Sequence, residues 1–95
     1  MRIRTSPGEV LLEEFMKPLG LSGGELAREL KVPANRINDI ARDRREITAD
    51  TALRLARYFG TSARFWLNAQ AAYNLSKAEV EDAGRIASEV RPRAA

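Results

Sequence analysis

The chain has 95 residues, 44% of them hydrophobic and 31% charged, with a net charge of +3 and neither cysteine nor histidine. That length makes one domain with a small core, and no apolar run approaches the roughly 18 residues of a membrane span. Without a thiol there is no disulfide framework, in keeping with a reducing cytoplasm. Without thiol or imidazole the usual general bases, nucleophiles and zinc ligands are missing, which argues against an enzyme and predicts no cofactor or metal.

Arg2 and Arg4 are followed by Glu9, Glu13 and Glu14 rather than by an apolar segment, so the N-terminus does not read as a secretory leader. Pro7 opens a first helix, with Val10, Leu11, Phe15, Met16 and Leu19 at three- and four-residue steps and Gly20 as its stop. Ser22 and Glu25 make an S-x-x-E capping box for a second helix. Pro33 ends that helix and starts a third, which runs to about Arg42, and residues 43–47 read as a polar loop. Thr48 caps a fourth helix, with Ala52, Leu55, Ala56 and Phe59 on one stripe and Gly60 as its stop. Ser62 caps a fifth, in which Phe65 is expected in the core while Trp66 suits either the core or an interface. Beyond Ser76 the pattern stays helix-permissive but polar, and residues 91–95 read as a frayed tail. No strand alternation appears, so the predicted fold is all-α, with a domain over residues 1–75 and a helical extension over 76–95.

Residues 22–40 are the most informative stretch. Leu26, Ala27 and Leu30 form one apolar face, Val32 fills a corner, and Ile37 and Ile40 begin the next face. Two short helices joined by a tight turn, with a small alanine where they approach, are the pattern of a helix-turn-helix over residues 22–42. In that motif the second helix lies in the DNA major groove. The charge distribution agrees: residues 1–27 carry net −1, residues 28–64 net +4 (nine basic against five acidic) and residues 65–95 none. The basic excess coincides with the motif and the helix after it, as phosphate contact requires.

The segments PGEVLLEEFMKPLGLS, LARELKVPANRINDI and ITADTALRLARYFGTSARFWLN resemble the HigA-type antidote proteins of bacterial toxin–antitoxin modules, within the lambda-repressor-like (Xre) helix-turn-helix superfamily. The resemblance covers roughly residues 7–75. It implies a five-helix lambda-repressor-like domain and a homodimeric DNA-binding antitoxin that neutralises a small mRNA-cleaving toxin and represses the operon encoding both. A transcriptional regulator of the same class without a toxin partner is the alternative. The chain departs from the pattern at Lys31, where the turn favours a glycine with positive φ, in the loop Asp43, Arg44, Arg45, Glu46, and at Gly23 and Gly24, which lower helix propensity.

Asn35, Arg36, Asn38 and Asp39 fall on the exposed start and outer face of the third helix. Asparagine can pair bidentately with adenine and arginine with guanine, while aspartate can accept from cytosine. Arg28 on the second helix and Arg42, Arg44 and Arg45 beside the reading helix are candidates for phosphate contact. The expected nucleic-acid partner is double-stranded DNA with a palindromic operator, matching a two-fold dimer whose interface is expected around residues 66–90. A small basic toxin is expected outside the reading face, on the N-terminal arm and first helix or on the C-terminal helix, with Glu9, Glu13 and Glu14 of the net-negative first third as the candidate contacts. Glu13 and Glu14 are adjacent and do not face each other on a helix, so they do not form a catalytic pair.

Overall fold

Capping signals place the five helices. In the computed structural model, which describes residues 2–94, the first helix (α1) runs through three contiguous pieces, Pro7–Val10, Leu11–Met16 and Lys17–Leu19. Ser6 caps it, its Oγ accepting from the Glu9 N–H at 3.1 Å. The middle piece is wound as a π-helix, in which the Lys17 N–H donates to the Leu12 carbonyl five residues back. Pro18 accounts for this departure from the expected regular helix. It has no N–H to give, and in α geometry its ring collides with the carbonyl four residues before it, which a widened turn relieves.

Helix α2 spans Gly23–Leu30 and carries the full predicted capping box, α3 spans Ala34–Ala41, and α4 spans Ala49–Phe59 behind its Thr48 cap. Helix α5, Ala63–Glu89, starts at Ser62 and passes residue 76 without a break, so the C-terminal extension is the outer half of the same helix. Residues 91–94 carry no helix, and Ala95, the last residue of the predicted tail, lies outside the described residues. No strand is present among the described residues.

The core gathers Leu11 and Met16 from α1, Leu26, Ala27 and Leu30 from α2, Ile37 and Ile40 from α3, Ala52 and Leu55 from α4, and Trp66 from α5. Ile47 joins them from the loop before α4. An aromatic group closes one end: the Trp66 ring lies 4.9 Å from Phe15, which lies 4.9 Å from Phe59. Trp66 is fully buried, and its Nε1–H donates to Thr61 Oγ1 at 2.7 Å, which satisfies the one polar atom of the indole.

Phe65, expected in the core, is instead 42% exposed. Successive helical residues point about 100° apart, so only one of the pair can face α1 and α4. Trp66 takes that direction, and Phe65 meets its ring edge-on at 5.1 Å with the outer face in water.

Candidate nucleic-acid interface

The turn between α2 and α3 is set by hydrogen bonds at the end of α2. Val32 N–H donates to the Ala27 carbonyl at 3.0 Å and Lys31 N–H to the Arg28 carbonyl at 3.3 Å, a Schellman cap that requires a left-handed residue between helix and turn. Lys31 is that residue, at φ 60, in the position where the motif favours glycine. Val32 packs half-buried against the core and fixes the corner.

The same device closes α3. Arg44 N–H donates to the Asp39 carbonyl at 2.7 Å and Asp43 N–H to the Ile40 carbonyl at 3.0 Å, with Asp43 left-handed at φ 59. Aspartate tolerates this region better than most residues because its short side chain bonds locally. Here the bond is tertiary: Asp43 Oδ2 accepts from Ser6 Oγ at 2.9 Å, tying the end of α3 to the start of α1. Gly8 makes this approach possible, since a β-carbon there would run into the Ile40 carbonyl and the Asp43 carboxylate. The loop is pinned on its other side by α5. Buried Gln70 accepts from the Ile47 N–H at 2.8 Å and donates to Asn74 Oδ1 at 3.0 Å, and Asn74 donates to Glu46 at 3.2 Å. Arg44 and Arg45 therefore stand on a loop held at both ends.

Asn35 and Asn38 are exposed on α3, with Arg36 and Asp39 partly so. The Asn38 side chain lies against the start of α2, where Gly23 supplies the room: a β-carbon at that position would overlap the amide oxygen. Gly23 thus has a packing reason that its low helix propensity conceals. Arg36 does not extend freely into water. Its Nη1 donates to Asp50 Oδ2 at 2.8 Å, and Arg54 donates to the same oxygen through Nε at 3.0 Å. Arg54 Nη1 also reaches the Leu30 carbonyl at 2.8 Å, one of the acceptors left open at the end of α2. The Arg54 bond, followed by the other charges of the cluster, holds the Asp50 carboxyl below the usual carboxylate range.

Asp39 pairs with Arg45 at 3.7 Å, so a predicted base-reading acid and a predicted phosphate clamp are neighbours. Arg28, Arg42 and Arg44 are exposed. Glu9, Glu13 and Glu14 are exposed on α1, with Glu13 accepting from Lys17 Nζ at 2.7 Å. Asp50, Arg54 and Gln70 escape a reading of the helix-turn-helix alone, because each acts across the fold. The i, i+4 spacing of Asp50 and Arg54 is the one sequence signal that points to their pairing.

Among the described residues no helix is long and apolar enough to cross a membrane, and no group of acidic residues is placed to hold a metal ion. Two helices joined by a left-handed corner, with a polar face on the second and a pinned arginine loop after it, define a helix-turn-helix protein. The Helix-turn-helix family model matches residues 12–66. Virulence-associated protein I of Dichelobacter nodosus is 60% identical over 73 residues, covering 77% of this chain and 68% of that one. Antitoxin HigA of Pseudomonas aeruginosa, solved with the higBA promoter, is 45% identical at a TM-score of 0.90, covering 98% of this chain and all of that one. An addiction module antidote protein of the HigA family from Coxiella burnetii is also 45% identical, at a TM-score of 0.87 with the same coverage. The chain belongs to the HigA-type antitoxin family of helix-turn-helix proteins.

Proposed function

We propose that this chain is the antitoxin of a toxin–antitoxin module: a homodimeric repressor that binds a palindromic operator in its own promoter and neutralises a small, basic, mRNA-cleaving toxin by direct contact. The observation that carries this reading is the first turns of α3, which present Asn35, Arg36 and Asn38 beside a loop of arginines pinned to both α1 and α5. The relative solved with its promoter shares the overall fold, which supports the reading without assigning the residues. In this role Asn35, Arg36, Asn38 and Asp39 meet base edges, and Arg28, Arg42, Arg44 and Arg45 meet phosphates. The pairing of Asp39 with Arg45 offsets the repulsion a lone carboxylate meets beside phosphates. Two heads related by a two-fold axis, about 34–36 Å apart, reach successive major grooves. Glu9, Glu13 and Glu14 on α1 supply a charge complementary to a basic toxin and speed its association more than they add affinity. Neutralisation by binding needs no catalytic group, and the targets, operator and toxin, belong to the cytoplasm.

DNA titrations at several salt concentrations and toxin capture from cells expressing both proteins test the two halves. Arg36→Ala is expected to cost about 1–3 kcal/mol on the operator and relax its sequence preference, whereas Arg44→Ala weakens all sequences alike and lowers the salt slope by about one. Identical behaviour of the two variants on operator and random DNA overturns the division of roles. Toxin capture is expected to survive Arg36→Ala and to weaken when Glu9, Glu13 and Glu14 become lysine. The reverse pattern would put toxin and DNA on one surface.

A further inference from the structure

We infer that Asp50 sets the sequence selectivity of the reading head by holding the Arg36 guanidinium in one orientation. The inference rests on the proposal that α3 reads DNA, and it adds a residue outside the helix-turn-helix to that task. Three bonds make the device. Asp50 takes one donor from Arg36, at 2.8 Å, and one from Arg54, at 3.0 Å, while Arg54 is itself anchored to the Leu30 carbonyl at 2.8 Å. The end of α2, the first turn of α4 and the reading arginine of α3 are thereby linked through one carboxylate oxygen.

Arginine carries five N–H donors in a planar fork. Asp50 takes one of them, leaving the fork available for N7 and O6 of guanine. An arginine without this partner samples many rotamers, and near a duplex it pairs with whichever phosphate is closest, a contact that carries no sequence information. A carboxylate beside the guanidinium opposes that alternative twice: it occupies a donor, and its negative charge repels phosphate. Arg54 limits the second effect, so the pair as a whole is not driven from the duplex. Asp50 is a positioning residue rather than a base contact. Its side chain is 57% exposed, so the core does not require it. Its place in the first turn of α4 also favours a negative charge, a structural role that the test must separate.

The probes are a duplex selected by the wild-type protein from a random-sequence pool and a scrambled duplex of the same length and composition, both titrated by fluorescence anisotropy. Asp50→Asn and Asp50→Ser are each expected to reduce the ratio of the two affinities about tenfold, chiefly by weakening the selected duplex. In an Arg36→Ala background neither change should move the ratio further, because the effect passes through Arg36. Arg54→Gln, which removes the brace on Asp50 but leaves the Arg36 bond in place, should lower the ratio less than Asp50→Asn does, and Asp50→Glu should retain more of it than Asp50→Asn. A merely structural Asp50 would give the same loss with or without Arg36, and that result overturns the inference. So does an unchanged ratio, or equally tighter binding to both duplexes, which would mean that Asp50 competes with DNA for Arg36. If the wild-type protein selects no sequence at all, the repressor reading fails and this inference fails with it. An unchanged ratio beside normal wild-type selection removes this inference alone.

Discussion

Two glycines, 76 positions apart in the chain, make opposite demands on a methyl group. Gly8 is buried where α1 crosses the end of α3, and its missing β-carbon leaves space for the Ile40 carbonyl and the Asp43 carboxylate. Because one of those neighbours is backbone, Gly8→Ala is expected to destabilise the fold by about 1–3 kcal/mol. Gly84 lies in the outer half of α5 with no neighbouring atom within 4 Å of an added β-carbon, so Gly84→Ala is expected to stabilise by about 0.5–1 kcal/mol through helix propensity. Urea denaturation of both variants checks the pair, and a shift of the same sign in each contradicts the geometry. At this scale the sequence conveys residue types more readily than their partners. Lys31 and the arginines of the loop stand out by chemistry and position. The reasons for Gly8, Gly23 and Asp50 lie across the fold, in Asp43, Asn38 and Arg36, and no local spacing connects them.

Helix boundaries were legible because capping is local. Ser22, Thr48 and Ser62 each accept from a backbone N–H three residues on, as their sequence positions predict. The choice between Phe65 and Trp66 was not legible, since both are large and apolar and only the direction of packing against α1 and α4 separates them. The π-turn of α1 likewise needed Pro18 to be weighed inside a helix that otherwise reads as regular. The capping box of α2 gives a testable consequence. The Ser22 backbone N–H bonds the Glu25 carboxylate at 3.1 Å and holds its pKa below the ordinary glutamate range. Since the folded value is the lower one, this contribution is present above the unfolded value of about 4.3 and is lost as pH falls through the folded value. Ser22→Ala is expected to cost about 1 kcal/mol at pH 7. Glu25→Gln is expected to be less stable than wild type at pH 7, with the gap shrinking below pH 4. Thermal melts across pH 3–7 check this, and a constant gap would detach Glu25 from the cap.

As a whole the molecule is longer than its core requires. Its extents are 53 × 22 × 20 Å and its radius of gyration is 16.1 Å, against about 12.4 Å for a compact chain of this size. The excess is α5, whose 27 residues span about 40 Å and whose outer half, residues 79–89, is exposed apart from a half-buried Asp82. One side of that half is laced by charge, with Arg85 bonded to Asp82 and Glu89 at 3.3 and 3.0 Å. Val80, Ala83, Ile86, Ala87 and Val90 recur at three- and four-residue steps along another side, and Val80, Ile86 and Val90 are exposed large hydrophobics. An isolated helix with such a stripe is marginal in water unless the stripe is covered. Trp66, being fully buried, is not available for the purpose, and within the dimer proposed above we assign the two-fold contact to this exposed stripe on the outer half of α5. Val80→Glu combined with Ile86→Glu is expected to convert a dimer at tens of micromolar into a monomer. The core, which lies wholly in residues 11–66, should still melt cooperatively. Operator affinity should drop at least tenfold while binding to a single half-site is retained, because a lone head loses the second groove but keeps its own contacts. Sedimentation and footprinting decide the matter: a wild-type monomer at that concentration, or a dimer that survives both glutamates, places the two-fold contact elsewhere.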